Sequence, residues 1–217
     1  MTILPFGGPD AARAVATPVA NHLDGGGILA YPTETVYGLG SRPIGQDVAT
    51  LAQLKQRRPG KPFLLLVSSR RMAEDQGLEF TRCARTLSDH YWPGPLTLVL
   101  RGARDRLPDA LRGPEGGIAV RWTSHEGVAM LISLLGHALT STSANLPRSA
   151  TASGADAIVH TFSRAIEDGR LLVLDGGVLE NVPPSTIVDC TADRPRMIRD
   201  GAIPLEEIRM RFSSLAL

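Results

Sequence analysis

The feature that most constrains the fold of this chain is the regular alternation of short apolar runs with segments of helical periodicity. Runs rich in Val, Ile and Leu occur at residues 27–31, 62–67, 95–100, 117–122, 137–142, 170–175 and 185–190. They alternate with helical patterns at residues 10–23, 46–57, 81–92, 125–136 and 155–169. In the second pattern Val48, Leu51 and Leu54 form one apolar stripe. This alternation predicts an α/β fold, a twisted mixed β-sheet with helices packed on it.

The size and charge of the chain limit its organisation and its partners. The 217 residues suffice for one large α/β domain or at most two small ones, and we expect a single domain over residues 1–217. The formal net charge of +1 gives no general attraction to nucleic acid or to a membrane. An anion site must therefore come from local clustering of cations.

The cysteines and the N-terminal residues bear on the compartment. Cys83 and Cys190 are far apart in sequence and lack metal-binding spacing, which argues against structural zinc and favours a reducing environment. Residues 1–15 do not have the pattern of a secretory signal. We therefore expect a cytoplasmic protein.

A group of cations follows the second helical pattern, in the stretch LKQRRPGKP at residues 54–62. Lys55, Arg57 and Arg58 stand at a predicted helix C-terminus, where the helix dipole favours cations even on a solvated surface. The Pro-Gly pair at 59–60 predicts a tight turn that brings Lys61 back toward them. Because cations held close together repel one another, an anion such as a polyphosphate would explain their arrangement.

A second polar stretch is LTSTSANLP at residues 139–147. It carries five hydroxyl or amide side chains, those of Thr140, Ser141, Thr142, Ser143 and Asn145. They could satisfy the backbone of an edge strand, or they could form a donor-rich cradle for phosphate and ribose oxygens. No GxxxxGK[ST] or GxGxxG pattern occurs, so such a cradle is neither a Walker loop nor a dinucleotide fingerprint.

Polar residues also end the first apolar run, in ILAYPTETVYGLG at residues 28–40. Thr33, Glu34 and Thr35 could cap a hairpin, or they could form the lip of a pocket for a small polar ligand. Glu34 is too isolated to be assigned a role. Arg121 ends the run GIAVR, where a cation is costly unless it faces a cleft or a partner.

Other signals are weaker. Ser185 opens an apolar run and Arg199 precedes a glycine-containing turn. No HExxH, HxH or GxSxG pattern occurs, so no nucleophile–base pair is visible and we expect no dedicated metal site. We therefore expect a site that holds anions in position and does not attack them with a nucleophile.

Eight motifs, taken in order, resemble the YrdC family of threonylcarbamoyl-AMP synthases in its single-domain form. They are YPTETVYGLG (31–40), the KxR residues Lys55 and Arg57 with KP at 61–62, WPGPLTLVL (92–100), IAVR (118–121), SAN (143–145), LDGG (174–177), STIVD (185–189) and RDGAI (199–203). The resemblance runs from about residue 12 to about residue 205. Thr142 replaces the family's usual proline before SAN, and the Gly-rich stretch before STIVD is shortened to residues 181–184. Its two prolines, Pro183 and Pro184, would stiffen a lid over the amino-acid end.

The resemblance implies a YrdC-like fold with a concave cleft, and an enzyme of the nucleotidyltransferase type that uses ATP as a substrate with Mg2+ accompanying it. The family carboxylates L-threonine with bicarbonate or CO2, and the carbamate attacks the α-phosphate of ATP. Threonylcarbamoyl-AMP then passes to a transferase that modifies tRNA. Two unit charges of like sign 4 Å apart cost about 4 kcal/mol at an effective dielectric constant near 20, so the two anions require a cationic cradle.

The resemblance also implies roles for individual residues. Lys55 and Arg57 are the catalytic candidates and, with Arg199, bind the phosphates. Phosphate or ribose contacts are expected from Ser141, Thr142, Ser143 and Asn145. Thr33 and Ser185 would hold threonine, Arg121 its carboxylate, and Lys61 the carbamate or the leaving pyrophosphate.

Two alternatives remain open. One is a YrdC-like paralogue that uses another acyl acceptor. The other is a double-stranded RNA-binding module, against which the net charge of +1 argues. The pairs Arg57-Arg58 and Arg70-Arg71 leave room for weak RNA contact, and we expect no membrane partner.

Overall fold

The fold is seen in a computed structural model that describes residues 3–58, 60–180 and 182–212. Pro59 of the expected Pro-Gly turn and Asn181 of the shortened stretch lie outside the described residues.

Eleven strands and seven α-helices are found within these ranges. The strands are β1 (Ile3–Pro5), β2 (Ile28–Tyr31), β3 (Gly38–Gly40), β4 (Leu64–Val67), β5 (Leu78–Glu79), β6 (Leu96–Gly102), β7 (Ile118–Trp122), β8 (Leu139–Ser143), β9 (Leu171–Asp175), β10 (Thr186–Asp189) and β11 (Arg196–Arg199). The helices are α1 (Pro9–Asp24), α2 (Gly45–Leu54), α3 (Arg70–Asp75), α4 (Arg82–Tyr91), α5 (Glu126–Leu135), α6 (Ala155–Glu167) and α7 (Leu205–Arg211), and a 3-10 turn spans Asp109–Leu111.

The predicted α/β class is confirmed, because each predicted apolar run overlaps a strand and each predicted helical segment overlaps a helix. The sequence patterns missed β1, β3, β5, β11, α3 and α7. These elements have two to seven residues each, which is too short for a periodic pattern to stand out.

The strands form one mixed sheet in the order β1-β9-β2-β3-β8-β4-β7-β6-β10-β11, with β5 paired to β6. Pairing is parallel for β1–β9, β9–β2, β4–β7 and β6–β10, and antiparallel for the other pairs. Strand β8 pairs with β3 on one side and with β4 on the other. The hydroxyl-rich stretch is therefore in the middle of the sheet, and the interpretation as an edge strand is wrong.

Helices cover both faces of the sheet around β2 and β9, where the strand sequences are apolar. In β2 the side chains of Leu29 and Tyr31 join a core with α1 and α5. Ile28 and Ala30, which point to the opposite face, join a second core that includes α2, α4 and α6. Both cysteines are buried and unbridged.

Candidate functional site

A cavity of about 690 Å3 lies against the sheet, and residues of β6, β7, β8, β10 and β11 form part of its wall. Its wall includes several of the predicted site residues: Thr33, Arg57, Lys61, Arg121, Ser141, Thr142, Ser143, Ser185 and Arg199. A smaller cavity of about 300 Å3 contains the predicted residues Lys55 and Asn145. Arg57, Lys61 and Ser143 belong to both walls, so the two cavities adjoin.

Lys55 follows the last residue of α2 and joins this helix to the end of β8. Its ammonium group donates hydrogen bonds to the backbone oxygens of Ser143 and Asn145 and to the Asn145 side-chain oxygen. Burial, together with the nearby positive charge of Arg57, lowers the pKa of Lys55 to about 8. Lys55 therefore holds the turn at residues 143–145 in place.

Arg57 closes the loop that leads into β4. Its guanidinium donates from Nε to the Lys61 oxygen at 2.9 Å and from Nη2 to the Pro62 oxygen at 2.5 Å. It also donates from Nη1 to Thr142 Oγ1 at 3.0 Å and lies 4.4 Å from the centroid of the Phe63 ring. Burial lowers the pKa of Arg57. The planar fork of arginine suits this set of contacts, which a lysine could not make together.

The turn at residues 143–145 closes on itself through side-chain hydrogen bonds. Ser143 Oγ donates to Asn145 Oδ1 at 2.7 Å, and Asn145 Nδ2 donates to the Ser149 oxygen at 2.6 Å. No carboxylate is found among the described residues of the smaller cavity, whose charged members are Lys55, Arg57, Arg58, Lys61 and Arg148. This cavity is therefore strongly cationic.

The connection between β2 and β3 forms another side of the larger cavity. Thr33 Oγ1 donates to the Val36 oxygen at 2.7 Å and accepts the N–H groups of Thr35 and Val36 at 3.2 Å. Thr33 and Thr35 are both buried and both belong to the cavity wall. The two interpretations of this stretch are therefore compatible, since the residues close a hairpin and also form the lip of a pocket.

Arg121 is buried at the end of β7, with 3% of its surface exposed. Its Nη1 donates to Thr35 Oγ1 at 3.2 Å and lies 3.5 Å from Glu34 Oε1. Thr123 in turn donates from its hydroxyl to Glu34 Oε2. The sequence pattern left Glu34 unassigned because its partners lie almost ninety residues away.

Ser185 and Arg199 meet where β10 begins. The Arg199 guanidinium donates to the Ser185 oxygen from Nη2 at 2.7 Å and from Nε at 3.1 Å. Burial of this guanidinium and the positive charge of Arg121 lower the pKa of Arg199. Thr97, absent from the sequence prediction, places its hydroxyl 2.8 Å from that of Ser185. Its signal was a hydroxyl residue inside the apolar run of β6.

Ser141 lies on the cavity wall beside Gly38 of the neighbouring strand. A Cβ atom at Gly38 would come within 3.1 Å of the Tyr31 ring and 3.2 Å of Ser141 Oγ. Burial raises the pKa of Tyr31 to about 12, so this phenol stays protonated. Because a side chain at position 38 would crowd Tyr31 and Ser141, glycine at this position keeps the cavity floor open.

The far end of the larger cavity is more apolar. Val99, Ala119, Ile187 and Ile198 contribute to it. Arg196 bridges Asp189 at 2.9 Å and Glu115 at 2.8 Å across this end. Although burial favours the neutral acid, hydrogen bonds from Thr191 and Arg196 hold the pKa of Asp189 below its ordinary value. This end suits a flat, uncharged ring system better than a phosphate.

Two kinds of feature were searched for in the described ranges and not found. No group of three or more His, Cys, Asp or Glu residues there could hold a metal ion. No helix among the described elements is both long enough and apolar enough to cross a membrane.

Comparison with known families gives a match over most of the chain. Residues 21–201 match the family model Sua5_yciO_yrdC, described as "Telomere recombination". The threonylcarbamoyl-AMP synthase of Pyrococcus abyssi is 33% identical over 184 residues, covering 84% of this chain and 53% of the relative. The threonylcarbamoyl-AMP synthase of Chromobacterium violaceum is 35% identical over 170 residues, covering 78% of this chain and 85% of the relative. This chain thus spans about half the length of the archaeal relative.

Solved structures agree with the sequence matches. The structure of P. abyssi Sua5 complexed with L-threonine has a TM-score of 0.85 and 29% identity, covering 97% of this chain and 60% of that one. The structure of E. coli YciO has a TM-score of 0.79 at 24% identity and covers 94% of this chain and 97% of that one, which shows a shared fold.

Proposed function

Because the chain belongs to the Sua5/YciO/YrdC family, we propose that it is a threonylcarbamoyl-AMP synthase, which forms threonylcarbamoyl-AMP and pyrophosphate from L-threonine, bicarbonate or CO2, and ATP. One observation carries the proposal. Arg57, Arg121, Arg199 and Ser143 come from four separate parts of the chain and contribute to the wall of one cavity. A site of this kind can hold two anions together against their mutual repulsion.

The amino acid fits best at the end formed by the β2–β3 connection and the start of β10. Arg121 offers a buried guanidinium for the α-carboxylate, and carboxylate–guanidinium pairs are strong in such surroundings. The hydroxyl groups of Thr33 and Ser185, with that of Thr97 behind Ser185, offer polar contacts for the amine and the side chain. Once carboxylated, the amine becomes a carbamate whose oxygen attacks the α-phosphorus.

The nucleotide fits across the remainder of the larger cavity. The apolar end at Val99, Ile187 and Ile198 suits the adenine ring. The phosphates would then lie near Arg57, Ser143 and Arg199, with the β- and γ-phosphates directed toward the smaller cationic cavity. Lys61, whose ammonium has no hydrogen-bonding or ion-pairing partner in the described part of the chain, stands between the cavities and suits the departing pyrophosphate.

The proposed catalysis depends on positioning and charge compensation. The carbamate oxygen forms a bond to the α-phosphorus, the bond to the bridging α–β oxygen breaks, and pyrophosphate carries away the electron pair. Lys55 and Arg57 act here by holding residues 142–145 and by supplying positive charge. Ser141, Thr142 and Asn145 complete the wall against which the nucleotide would rest.

Mg2+ would accompany ATP as a phosphate complex. The carboxylates that belong to the larger cavity in the described ranges are Glu115 and Asp189, and both are paired with Arg196. They do not form a dedicated cage for the ion, so the phosphates themselves would hold it. The protein would then bind the complex through its own cations.

We also propose the setting in which the reaction takes place. The described strands all belong to one sheet, which supports a single domain over residues 1–217. We expect a cytoplasmic enzyme that passes its product to a threonylcarbamoyl transferase acting on tRNA, with at most weak RNA contact of its own.

The test is a pyrophosphate-release assay with ATP over a panel of amino acids. Release that requires both L-threonine and bicarbonate, together with threonylcarbamoyl-AMP seen by mass spectrometry, supports the proposal. Turnover with another amino acid and none with threonine favours the paralogue. Tight RNA binding with a steep salt dependence and no turnover favours the RNA-binding module.

A further inference from the structure

Glu34 has no place in the scheme above, although its side chain is mostly buried beside the most deeply buried cation of the site. The Arg121 side chain is 4% exposed and the Glu34 side chain 16% exposed, and their nearest charged atoms are 3.5 Å apart. A guanidinium at this depth has little access to water. It therefore requires a negative partner in the protein whenever no ligand is present.

Arg121 also faces a like charge. The positive charge of Arg121 lowers the pKa of Arg199, so the two guanidinium groups interact electrostatically. Two positive charges in one cavity wall destabilise each other unless a negative charge compensates them. Glu34, 3.5 Å from Arg121, offsets part of this positive charge.

Thr123 fixes Glu34 in its turn. Its hydroxyl donates to Glu34 Oε2, while Thr35 accepts a hydrogen bond from Arg121 at 3.2 Å. The other oxygen of Glu34 and the Nε atom of Arg121 are buried and have no hydrogen-bond partner. The guanidinium is therefore restrained from one side and keeps unused hydrogen-bonding capacity.

From this arrangement we infer that Glu34 is a positioning residue for amino-acid recognition, because it holds the Arg121 guanidinium where the α-carboxylate of the substrate can complete its set of partners. The inference rests on the proposed function, and it adds the residue that sets carboxylate recognition. Glu34 acts through Arg121 and need not touch the substrate.

The inference predicts a selective effect on binding. Substitution of Glu34 should weaken the binding of ligands that carry the α-carboxylate and leave other ligands nearly unaffected. Glu34→Gln keeps the size and one acceptor for Thr123 but removes the charge that restrains Arg121. We expect the dissociation constant for L-threonine to rise about tenfold or more, the scale of one lost interaction with a charged group. Binding of L-threoninamide, which lacks the carboxylate, and binding of ATP should change less than about twofold.

The experiment is isothermal titration calorimetry on the full chain, with unfolding curves recorded for every variant. Glu74→Gln removes a carboxylate from an ion pair with Arg85, outside the cavity, and serves as the matched control. Glu34→Asp keeps the charge on a shorter side chain and should recover part of the threonine affinity. Unchanged or tighter threonine binding by folded Glu34→Gln overturns the inference, as does an equal loss for threonine and threoninamide.

A second variant covers the case in which Glu34→Gln does not fold. Thr123→Val removes the hydroxyl that holds Glu34 and conserves the shape of the side chain. It should weaken threonine binding in the same selective way by a few fold, and unchanged binding overturns the inference. If the wild-type protein binds threoninamide or another amino acid but not threonine, the proposed function fails and the inference fails with it. If the wild-type protein binds threonine and Glu34→Gln binds it equally well, only the role of Glu34 is overturned and the proposed function stands.

Discussion

The hydroxyl groups of Thr97 and Ser185 lie 2.8 Å apart, although 88 positions separate the two residues in the sequence. The parallel pairing of β6 with β10, in which Leu96 lies opposite Thr186, produces this contact. Arg199 donates two hydrogen bonds to the Ser185 backbone oxygen from the other side. Ser185 is thus fixed between a hydroxyl and a cation at the proposed amino-acid end.

Replacement of Thr97 by valine should weaken amino-acid binding without unfolding the sheet. Valine keeps the β-branched shape but leaves the Ser185 hydroxyl with only the longer 3.3 Å contact from Arg199, at a cost of about 0.5–1.5 kcal/mol. We expect the KM for threonine to rise about two- to twelvefold while the KM for ATP stays within about twofold. Steady-state kinetics measure both values. Thr97→Ser, which retains the hydroxyl, is the control and should behave like the wild type.

Removal of the Lys55 amine should lower stability as well as nucleotide binding. The sequence pattern placed Lys55 among the cations at a predicted helix C-terminus and did not reveal its partners inside the protein. The structure gives the ammonium three oxygen acceptors in residues 143–145. Lys55→Ala should reduce the free energy of unfolding by about 1.5–3 kcal/mol, the range for hydrogen bonds to a charged group.

Chemical denaturation of Lys55→Ala and of Arg58→Ala provides the comparison. Arg58 is an exposed cation three residues along the same segment, so its replacement should change stability by less than about 0.5 kcal/mol. Equal effects of the two substitutions would contradict a structural role for the Lys55 hydrogen bonds.

Arg57→Lys should damage nucleotide binding even though the charge is kept. A lysine ammonium cannot donate to Lys61, Pro62 and Thr142 from one plane while stacking on the Phe63 ring. We expect kcat/KM for ATP to fall about tenfold or more, the scale of a lost bidentate contact. Wild-type values of kcat/KM for this variant would show that only the charge of Arg57 matters.

ATP affinity should fall as the pH rises above about 8. The pKa of Lys55 is lowered to about 8 from an ordinary value of 10.5, because the ammonium is buried and lies near Arg57. Bound phosphates favour the ammonium form, so above this pH the protein must take up a proton when ATP binds. Titrations between pH 7 and pH 9.5, in buffers of different ionisation enthalpy, measure both the affinity and the proton uptake. Lys55→Met should bind ATP more weakly and with a flatter pH dependence.

The lowered pKa of Lys55 also makes the free energy of unfolding depend on pH. Between about pH 8 and pH 10.5 the unfolded chain keeps the Lys55 proton that the folded protein has lost. The Lys55 contribution to stability therefore rises with pH across this window, and below about pH 8 the full cost of burying the ammonium remains. The difference in unfolding free energy between wild type and Lys55→Met, measured at pH 7.5 and pH 10, should shift in favour of the wild type at the higher pH.

The fold, and several polar residues that line the cavity, could be predicted from the chain alone. Runs such as residues 62–67 and 171–174 are apolar throughout because side chains on both faces of β4 and β9 pack into cores, and burial of this kind is visible in local sequence. Polar residues at run ends, such as Thr33 and Arg121, were also visible. Burying a hydroxyl or a cation after an apolar strand costs free energy unless the group has a polar partner or faces a cleft. Short elements such as β3 and β11 were missed because few residues carry little periodicity.

The sequence by itself determined that apolar strands would alternate with helices, and that cations and hydroxyl groups would follow those strands in a particular order. Only the tertiary structure decided which of these groups satisfy one another. The Lys55 ammonium is bound to residues 143–145, Glu34 is paired with Arg121, and the Thr97 hydroxyl meets that of Ser185. Local patterns report whether a side chain is buried, whereas its partner across the sheet depends on strand order and register, which bring together residues far apart in the chain.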